Sequence, residues 1–257
     1  MKSIFRPTVV PDPEMLAEYR PAIRELRRRK LIQGTFSLGA LSMLTGCNLD
    51  QPDIVGRVLR RFSDFNDHVQ SWIFDPKKLA ATYPATMVLK PPRFNAYYDV
   101  TDVKPVDGDR SRLELSGLIS EKAPWTMAQL ANLRQEEVII RHICVEGWDY
   151  IGQWSGVPLR HFLERIGADT RAKYINFYTA DDYPSSIDMA TALHPQTLLA
   201  THYAGDPLPD PFGFPLRLRT ATKLGYKNPK WITALEVTNL YTPGYWEKRG
   251  FSWFAGI

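Results

Sequence analysis

Short stretches in which apolar residues alternate with polar ones are frequent from residue 112 onward. The run RLELSGLI, which starts at Arg112, and the run from Val138 to Val145 have the length and apolar content of half-buried strands. Further strand-like runs follow at Lys173–Thr179, Leu198–Tyr203, Leu216–Thr220 and Trp231–Leu240. The second half of the chain is therefore predicted to be rich in β-structure.

Three segments have helical patterns instead. Apolar spacing predicts a helix around Ile54–Phe65, and Thr126 can cap a short helix in TMAQLANL. A third helix is predicted around Phe162, with Pro158 in its first turn and Gly167 as its stop. Several short strands, few helices and 20 prolines together predict a β-rich α+β domain.

Residues 27–47, RRRKLIQGTFSLGALSMLTGC, have the order of parts of a bacterial export signal. The pair Arg28-Arg29 opens a twin-arginine pattern, a weakly apolar stretch covers Leu31–Leu44, and LTGC ending at Cys47 resembles a lipobox. We predict a Tat-type signal with lipobox over residues 1–47, read by the Tat translocase, and a periplasmic domain over 48–257, lipid-anchored through Cys47. The same residues also fit an ordinary amphipathic first helix with a basic start.

The net charge of +4 is concentrated in the basic stretch Arg24–Lys30, and the rest of the chain is close to neutral. This distribution predicts no nucleic-acid partner. The chain also lacks the glycine-rich phosphate loops of nucleotide enzymes and the Gly-x-Ser-x-Gly turn of α/β-hydrolases.

Cys144 ends an apolar strand-like run and is one of only two cysteines in the chain. A cysteine in this position is by default a buried, inert thiol. It could instead be a nucleophile with His142 as its base, because residues i and i+2 of a strand share a face. Metal ligation is the third interpretation, and residue chemistry alone favours the buried thiol.

The segment around this cysteine, HICVEGWDYIGQWSGVPLRHFL, changes that weighting. It resembles the molybdenum-cysteine segment of the sulfite-oxidase-fold molybdopterin enzymes. The branch it resembles most contains the bacterial periplasmic methionine-sulfoxide reductases, in which Cys-Val-Glu-x-Trp precedes Trp-x-Gly-x-Pro-Leu. The resemblance covers roughly residues 93–257 and implies that Cys144 is both the catalytic residue and the protein ligand of molybdenum.

Other segments follow in the order that this family has. FNAYYD resembles its Asn-x-x-Tyr-Glu cofactor loop, HPQTL its His-Pro-Leu-Thr-Leu segment, and PLRL with KLGYKNPK its Pro-Val-Arg-Leu and lysine-rich segments. The resemblance implies a molybdenum-molybdopterin cofactor bound by Asn95, Tyr98, Asp99, Thr179, Arg217, Lys227, Asn228 and Lys230. A thiolate suits molybdenum as a soft ligand, and the cationic side chains suit the pterin phosphate.

Two departures from the family stand out, the first at a pterin contact and the second at the substrate. Phe212 stands where the reductase branch has an asparagine, and Glu146-Gly147-Trp148-Asp149 replaces the Gly-Asn-Arg-Arg run of sulfite oxidases. The resemblance therefore implies reduction of an S-oxide or N-oxide, small or protein-bound, such as methionine sulfoxide. Electrons would come from a membrane haem-b protein or a soluble cytochrome. Sulfite-type oxidation, a cofactor-free lipid-anchored binding module and a cysteine hydrolase remain the alternatives.

Overall fold

The computed structural model describes residues 52–257. The chain consists of two compact units, Met1–Val58 and Leu59–Ile257. Helix α1 (Pro52–Ile73) begins in the first unit, of which the structure describes only residues 52–58. The predicted signal, its arginine pair and Cys47 lie outside the described residues. The helix predicted around Ile54–Phe65 is confirmed as the first part of α1.

One five-stranded sheet contains strands from both ends of the second unit. It consists of β1 (Arg112–Gly117), β2 (Trp125–Thr126), β5 (Tyr174–Thr179), β6 (Ser185–Asp188) and β10 (Ile232–Thr238). The strand order is β2-β1-β10-β5-β6, and β1 pairs with β10 in parallel while the other pairs are antiparallel. Alternate residues of β1, Leu113 and Leu115, point into the core, as the sequence pattern predicts.

The second sheet carries the Cys144 segment. It consists of β3 (Glu136–Ile143), β4 (Asp149–Pro158), β7 (Leu198–Tyr203), β8 (Asp206–Pro207) and β9 (Arg217–Arg219). All of its pairs are antiparallel, and β9 pairs with β7 beside the path β3-β4-β7-β8. Where β4 meets β7, a Cβ on Gly156 would lie 2.1 Å from the backbone oxygen of Leu199, so only glycine permits this approach.

Short helices connect the strands: α2 (Met127–Ala131), α3 (Leu159–Arg165) and α4 (Met189–Ala192). Thr126 caps α2 as predicted, in a capping box with Gln129. Pro158 precedes α3 at its cap position, and Gly167, with φ of +61°, follows its end.

Two apolar clusters form the core of the second unit. The larger contains Phe162, Phe177 and Leu235, and the smaller lies around Trp154, Ile140 and Tyr203. Arg217, Arg219, Lys223, Lys227 and Lys230 are buried as well. Buried charges are costly unless a partner compensates them, so these five cations need an explanation.

Candidate functional site

Cys144 lies in the tight connection between β3 and β4. Its backbone N–H donates to Trp148 O at 2.9 Å, and its own carbonyl accepts from Gly147 N–H at 3.2 Å. Gly147 closes the turn with φ of +88°. The hairpin thus fixes the backbone of Cys144. The sequence analysis named Cys144 as a candidate site residue but did not predict strand β4, which follows it.

The Cys144 side chain is 7% exposed. Burial raises the pKa of its thiol, and the backbone N–H of Glu146 partly offsets that effect. A thiol of this kind keeps its proton at neutral pH unless a metal ion displaces it.

The thiol lies on the wall of a narrow, partly open cleft with a cavity volume of about 50 Å³. Four segments supply the other walls: Asn95–Tyr97, the Val145-Glu146 backbone turn, the Asp181–Tyr183 loop and the run from Gly225 to Lys230. Trp246 closes one side. Segments far apart in sequence therefore meet at the cysteine.

Arg217 and Arg219 lie behind the cleft on strand β9, two residues apart and so on the same face. Their guanidinium carbons lie 4.6 and 5.7 Å from the ring centre of Trp154, and both side chains are buried. Burial lowers the pKa of each to about 10. Neither has an acidic partner within ion-pair distance among residues 52–257, and the Nε of each has no hydrogen-bond partner there.

Lys230 lies on the cleft wall itself. Its Nζ donates to Asn95 O at 2.9 Å and to Pro211 O at 3.2 Å, and it lies between the rings of Phe94 and Trp231 at 4.2 and 4.3 Å. Burial, followed by the charge of Arg217, lowers the pKa of Lys230 to about 7. Lys230 is the third buried cation without a carboxylate partner in the described part of the chain.

Lys227 and Asn228 have structural partners. Lys227 is fully buried and pairs with Glu247, so its charge is already compensated. The Asn228 side-chain oxygen accepts from Thr220 N–H at 2.6 Å, and its amide donates to Leu224 O at 3.1 Å. Asn228 therefore fixes the Gly225–Lys227 turn while it also lines the cleft.

Three other residues predicted for the site, Thr179, Tyr98 and Asp99, do not line the cleft. Thr179 ends β5, and its hydroxyl accepts from Tyr183 N–H at 2.8 Å. The Tyr98 hydroxyl donates to Asp181 at 3.0 Å, and Asp99 is exposed and accepts from Thr101 N–H. Of the predicted set, the structure brings Asn95, Cys144, Asn228 and Lys230 together on the cleft wall.

His142 does not contact the thiol as a general base would. Its side chain is fully buried beside the rings of Trp148 and Tyr150, at 5.9 and 5.0 Å between ring centres, and neither ring nitrogen has a hydrogen-bond partner among residues 52–257. Burial, followed by the charge of Arg219, lowers the pKa of His142. The geometry of a Cys144–His142 hydrolase pair is therefore absent from the described residues.

The sequence did not single out Arg219 or the aromatic wall. Arg219 follows Arg217 by two positions in a strand, and that period could have placed both on one face. Tyr97 and Tyr183 line the cleft with their rings 5.9 Å apart, and the Tyr97 ring stacks on Tyr245 at 4.3 Å. No spacing rule joins residues this distant in sequence.

The unpaired cations determine which ligand the site fits. Arg217, Arg219 and Lys230 are buried basic side chains with no carboxylate within ion-pair distance among residues 52–257, and the Nε–H groups of both arginines are unused. With a pKa of about 7, Lys230 is only partly protonated at neutral pH, and a bound anion would favour its charged form. Such charges are stabilised when an anion binds nearby. Together with a soft sulfur on the cleft wall, they fit an anionic cofactor that carries a thiophilic metal.

Residues 100–246 match the family model described as an oxidoreductase molybdopterin binding domain. A protein of Azospira oryzae, provisionally named protein-methionine-sulfoxide reductase subunit YedZ1, is 54% identical over 229 residues, which cover 89% of this chain and 87% of that protein. The protein-methionine-sulfoxide reductase catalytic subunit MsrP of Xanthomonas campestris pv. campestris is 39% identical over 121 residues, which cover 41% of this chain and 38% of MsrP.

Among solved structures, the sulfane dehydrogenase SoxCD of Paracoccus pantotrophus superimposes with a TM-score of 0.51. The match has 19% sequence identity and covers 54% of this chain and 40% of that one. At this level of identity the likeness concerns the fold alone.

Proposed function

The chain belongs to the family of oxidoreductases with a molybdopterin-binding domain, and on that premise we propose that it reduces an S-oxide or N-oxide by oxygen-atom transfer, with methionine sulfoxide as the leading substrate. It is an oxidoreductase, and its cofactor is molybdenum-molybdopterin, as the sequence predicted. The predicted α+β, sheet-rich fold of the sulfite-oxidase type is confirmed as well. The substrate, the export route and the electron partner belong to the proposal.

The observation that carries the proposal is the Cys144 thiol on a cleft backed by uncompensated cations. Cys144 would ligate molybdenum through sulfur, while Arg217, Arg219 and Lys230 would hold the pterin phosphate. Asn95 and Asn228 line the cleft, where they can hydrogen-bond the pterin. When bound, the cofactor supplies a metal that exchanges two electrons and an oxygen atom with the substrate.

The charges on the cleft wall favour a neutral substrate over sulfite. Glu146 and Asp181 both line the cleft, and Trp148 Nε1 donates to the Glu146 carboxylate at 2.8 Å, which holds it in place. Glu146 is exposed and Asp181 half-buried, so water screens part of their charge, but both carboxylates still repel an anion such as sulfite. A sulfoxide is uncharged, and the aromatic rings of Tyr97 and Tyr183 offer its alkyl groups an apolar surface.

Reduction of a sulfoxide consumes two electrons and two protons and releases water. We infer that a separate partner, a membrane haem-b protein or a soluble cytochrome, delivers the electrons. Export by the Tat translocase to the periplasm is supported by Arg28-Arg29, and a lipid anchor by the LTGC sequence ending at Cys47.

Metal analysis with Mo(V) electron paramagnetic resonance tests the proposal. We expect the purified protein to contain molybdenum and to reduce methionine sulfoxide, and Cys144→Ser to abolish turnover while the protein stays folded. The Mo(V) signal should change in this variant because sulfur leaves the metal's coordination shell. Cys47→Ser is the matched control, since it makes the same change at the other cysteine and should leave the signal unaltered.

Three results would contradict this assignment. Wild-type protein without molybdenum, purified from a molybdenum-replete host, excludes the metal enzyme. A near-normal Mo(V) signal and activity in Cys144→Ser would make Cys144 an inert thiol. Faster turnover of sulfite than of any sulfoxide would assign the oxidative reaction instead.

A further inference from the structure

Helix α1 presents an apolar face to the outside of the molecule. Phe62, Phe65, Val69, Trp72 and Ile73 lie on one side of it, at the spacing of successive helical turns. All of them are exposed: 84% of Trp72, 68% of Phe62 and 67% of Phe65 are accessible. A surface helix ordinarily turns such a face toward the core, whereas α1 turns its apolar face toward the solvent.

Hydrogen bonds from the polar side of the helix fix this orientation. Asp67 is 3% exposed, its Oδ2 accepts from Trp253 N–H at 2.9 Å, and its Oδ1 accepts from the Ser252 hydroxyl. At the end of the helix the Phe74 ring meets Phe254 edge-on at 5.6 Å. Rotation of α1 to bury its apolar face would break these charge-assisted bonds, so exposure of that face is part of the fold.

We propose that the apolar face of α1, formed by Phe62, Phe65, Val69, Trp72 and Ile73, lies on the surface of a lipid bilayer. Bulky aromatic residues on one side and charged residues on the other are typical of helices that lie in the membrane interface. Arg61 is exposed on the same helix and can meet anionic headgroups. No helix within residues 52–257 is long and apolar enough to cross a membrane.

The position of α1 in the chain supports a lipid occupant over another protein. Only residues 48–51 separate Cys47, the predicted lipid attachment site, from the start of α1 at Pro52. A stretch of that length reaches at most about 17 Å, so an anchored chain keeps the start of α1 near the headgroups. A lipid anchor of limited affinity is usually reinforced by a second attachment, and the apolar face provides one. This inference does not depend on the chemistry at Cys144.

Vesicle flotation with the full chain carrying Cys47→Ser tests the face without the lipid anchor. Vesicles of phosphatidylethanolamine and phosphatidylglycerol should bind it, and adding Phe65→Ser/Trp72→Ser should weaken binding by at least about tenfold, because two rings lose their burial. The matched control is Asn66→Ser/His68→Ser, which changes two exposed polar residues of the same helix and should float like its parent.

Brominated lipids report the depth of individual tryptophans. We expect part of the fluorescence to be quenched on vesicles, this part to disappear in Trp72→Phe, and Trp125→Phe to retain it because Trp125 is buried in the core. Equal flotation of Phe65→Ser/Trp72→Ser and its parent would overturn the proposal. If the parent protein self-associates and Phe65→Ser/Trp72→Ser abolishes that association, the face binds a second copy of the chain instead. If the parent binds only vesicles that carry a membrane protein, the face binds that protein.

Discussion

Arg217 and Arg219 carry two positive charges into the interior beside Trp154, without an acidic partner in the part of the chain described. Arg217 donates to Phe212 O and Arg219 to Arg141 O, both at 2.8 Å. Such bonds offset only part of the cost of burying a charge that has no ion-pair partner, so each arginine destabilises the cofactor-free fold. A bound anion reverses the sign of that contribution. Their effects on stability should therefore differ between the cofactor-free and the loaded protein.

Arg217→Met tests this difference because methionine keeps the apolar stem and removes the charge. We expect the molybdenum content of the purified variant to fall about tenfold, through loss of a charge-assisted contact of about 1.5–3 kcal/mol. The melting temperature of the cofactor-free protein should stay the same or rise. Arg165→Met is the control, since Arg165 also lies over a tryptophan, Trp125 at 5.3 Å, but is half exposed. Full molybdenum loading of Arg217→Met would show that the charge has no part in binding.

Lys223 gives the stability of the fold a pH dependence of its own. Its Nζ lies 3.2 Å from Asp188 Oδ1 without hydrogen-bond alignment, and burial lowers its pKa from 10.5 to about 7. Below about pH 7 the amine is protonated in both the folded and the unfolded states. Between about pH 7 and 10.5 the unfolded chain binds the extra proton, so the free energy of unfolding rises with pH across this window.

The comparison of wild type with Lys223→Met isolates that contribution. Urea unfolding from pH 6 to about pH 10 should show a rise in the free energy of unfolding that is larger in wild type than in the variant by up to a few kcal/mol, since Lys230 contributes to both. Tyrosines that ionise near the upper end of this pH range affect both proteins equally, so their effect cancels in the difference between the two free energies of unfolding. Parallel pH profiles would mean that Lys223 is solvated in solution.

At the residue scale, Cys144 and Lys230 were predicted as site residues because the segments around them resemble those of a known family. Composition alone would have pointed to neither residue. The default expectation for Cys144, a buried thiol, agrees with its burial in the structure. Lys227 and Lys230 look equivalent in KLGYKNPK, but one is neutralised by Glu247 and the other is not. Pairing with a residue 20 positions away cannot be read from local sequence.

At the scale of elements, the Gly225–Lys227 turn packs directly against strand β3. A Cβ at Gly225 would lie 2.7 Å from Nε2 of His142, which is buried and has little room to move. Gly225→Ala should therefore cost about 1–3 kcal/mol of stability and shift the turn that carries Lys227. Chemical unfolding measures the cost, and His142→Ala should recover part of it in the double variant because it removes the clashing ring.

The control for Gly225→Ala is Gly147→Ala. Gly147 has φ of +88° but nothing within 4 Å of the added Cβ, so its cost of about 1 kcal/mol comes from the backbone alone. That cost should not change when His142 becomes alanine. If the stability cost of Gly225→Ala is also unchanged by His142→Ala, the Gly225–Lys227 turn does not pack against the His142 ring.

Periodic strands such as β1, β5 and β10 were predictable from the chain, whereas β4 and β6 were not. In β4 the glycines 152 and 156 interrupt the apolar pattern, and they are needed where a neighbouring residue or strand comes too close for a side chain. Strand β6 has only four residues, two of them serines. The parallel pairing of β1 with β10 joins segments more than 110 residues apart, and no local signal encodes it.

At the scale of the whole molecule, the site exists only after folding, because its walls come from Asn95, Cys144, Asp181, Gly225–Lys230 and Trp246. An unfolded chain therefore has no place for the cofactor. If the protein is exported as proposed, it has to be folded and loaded where the cofactor is made and then moved intact. The twin-arginine pattern at Arg28-Arg29 is consistent with that requirement, since the Tat route carries folded proteins.

Export is tested by Arg28→Lys/Arg29→Lys, which keeps the charge and removes the guanidinium pair. We expect the precursor to accumulate in the cytoplasm, folded and containing molybdenum, because loading precedes export in this scheme. Cell fractionation with metal analysis measures both quantities. Arg20→Lys/Arg24→Lys makes the same change outside the motif and should be exported normally. Normal export of Arg28→Lys/Arg29→Lys would exclude the Tat route, and a trapped precursor without molybdenum would show that the cofactor enters only after transport.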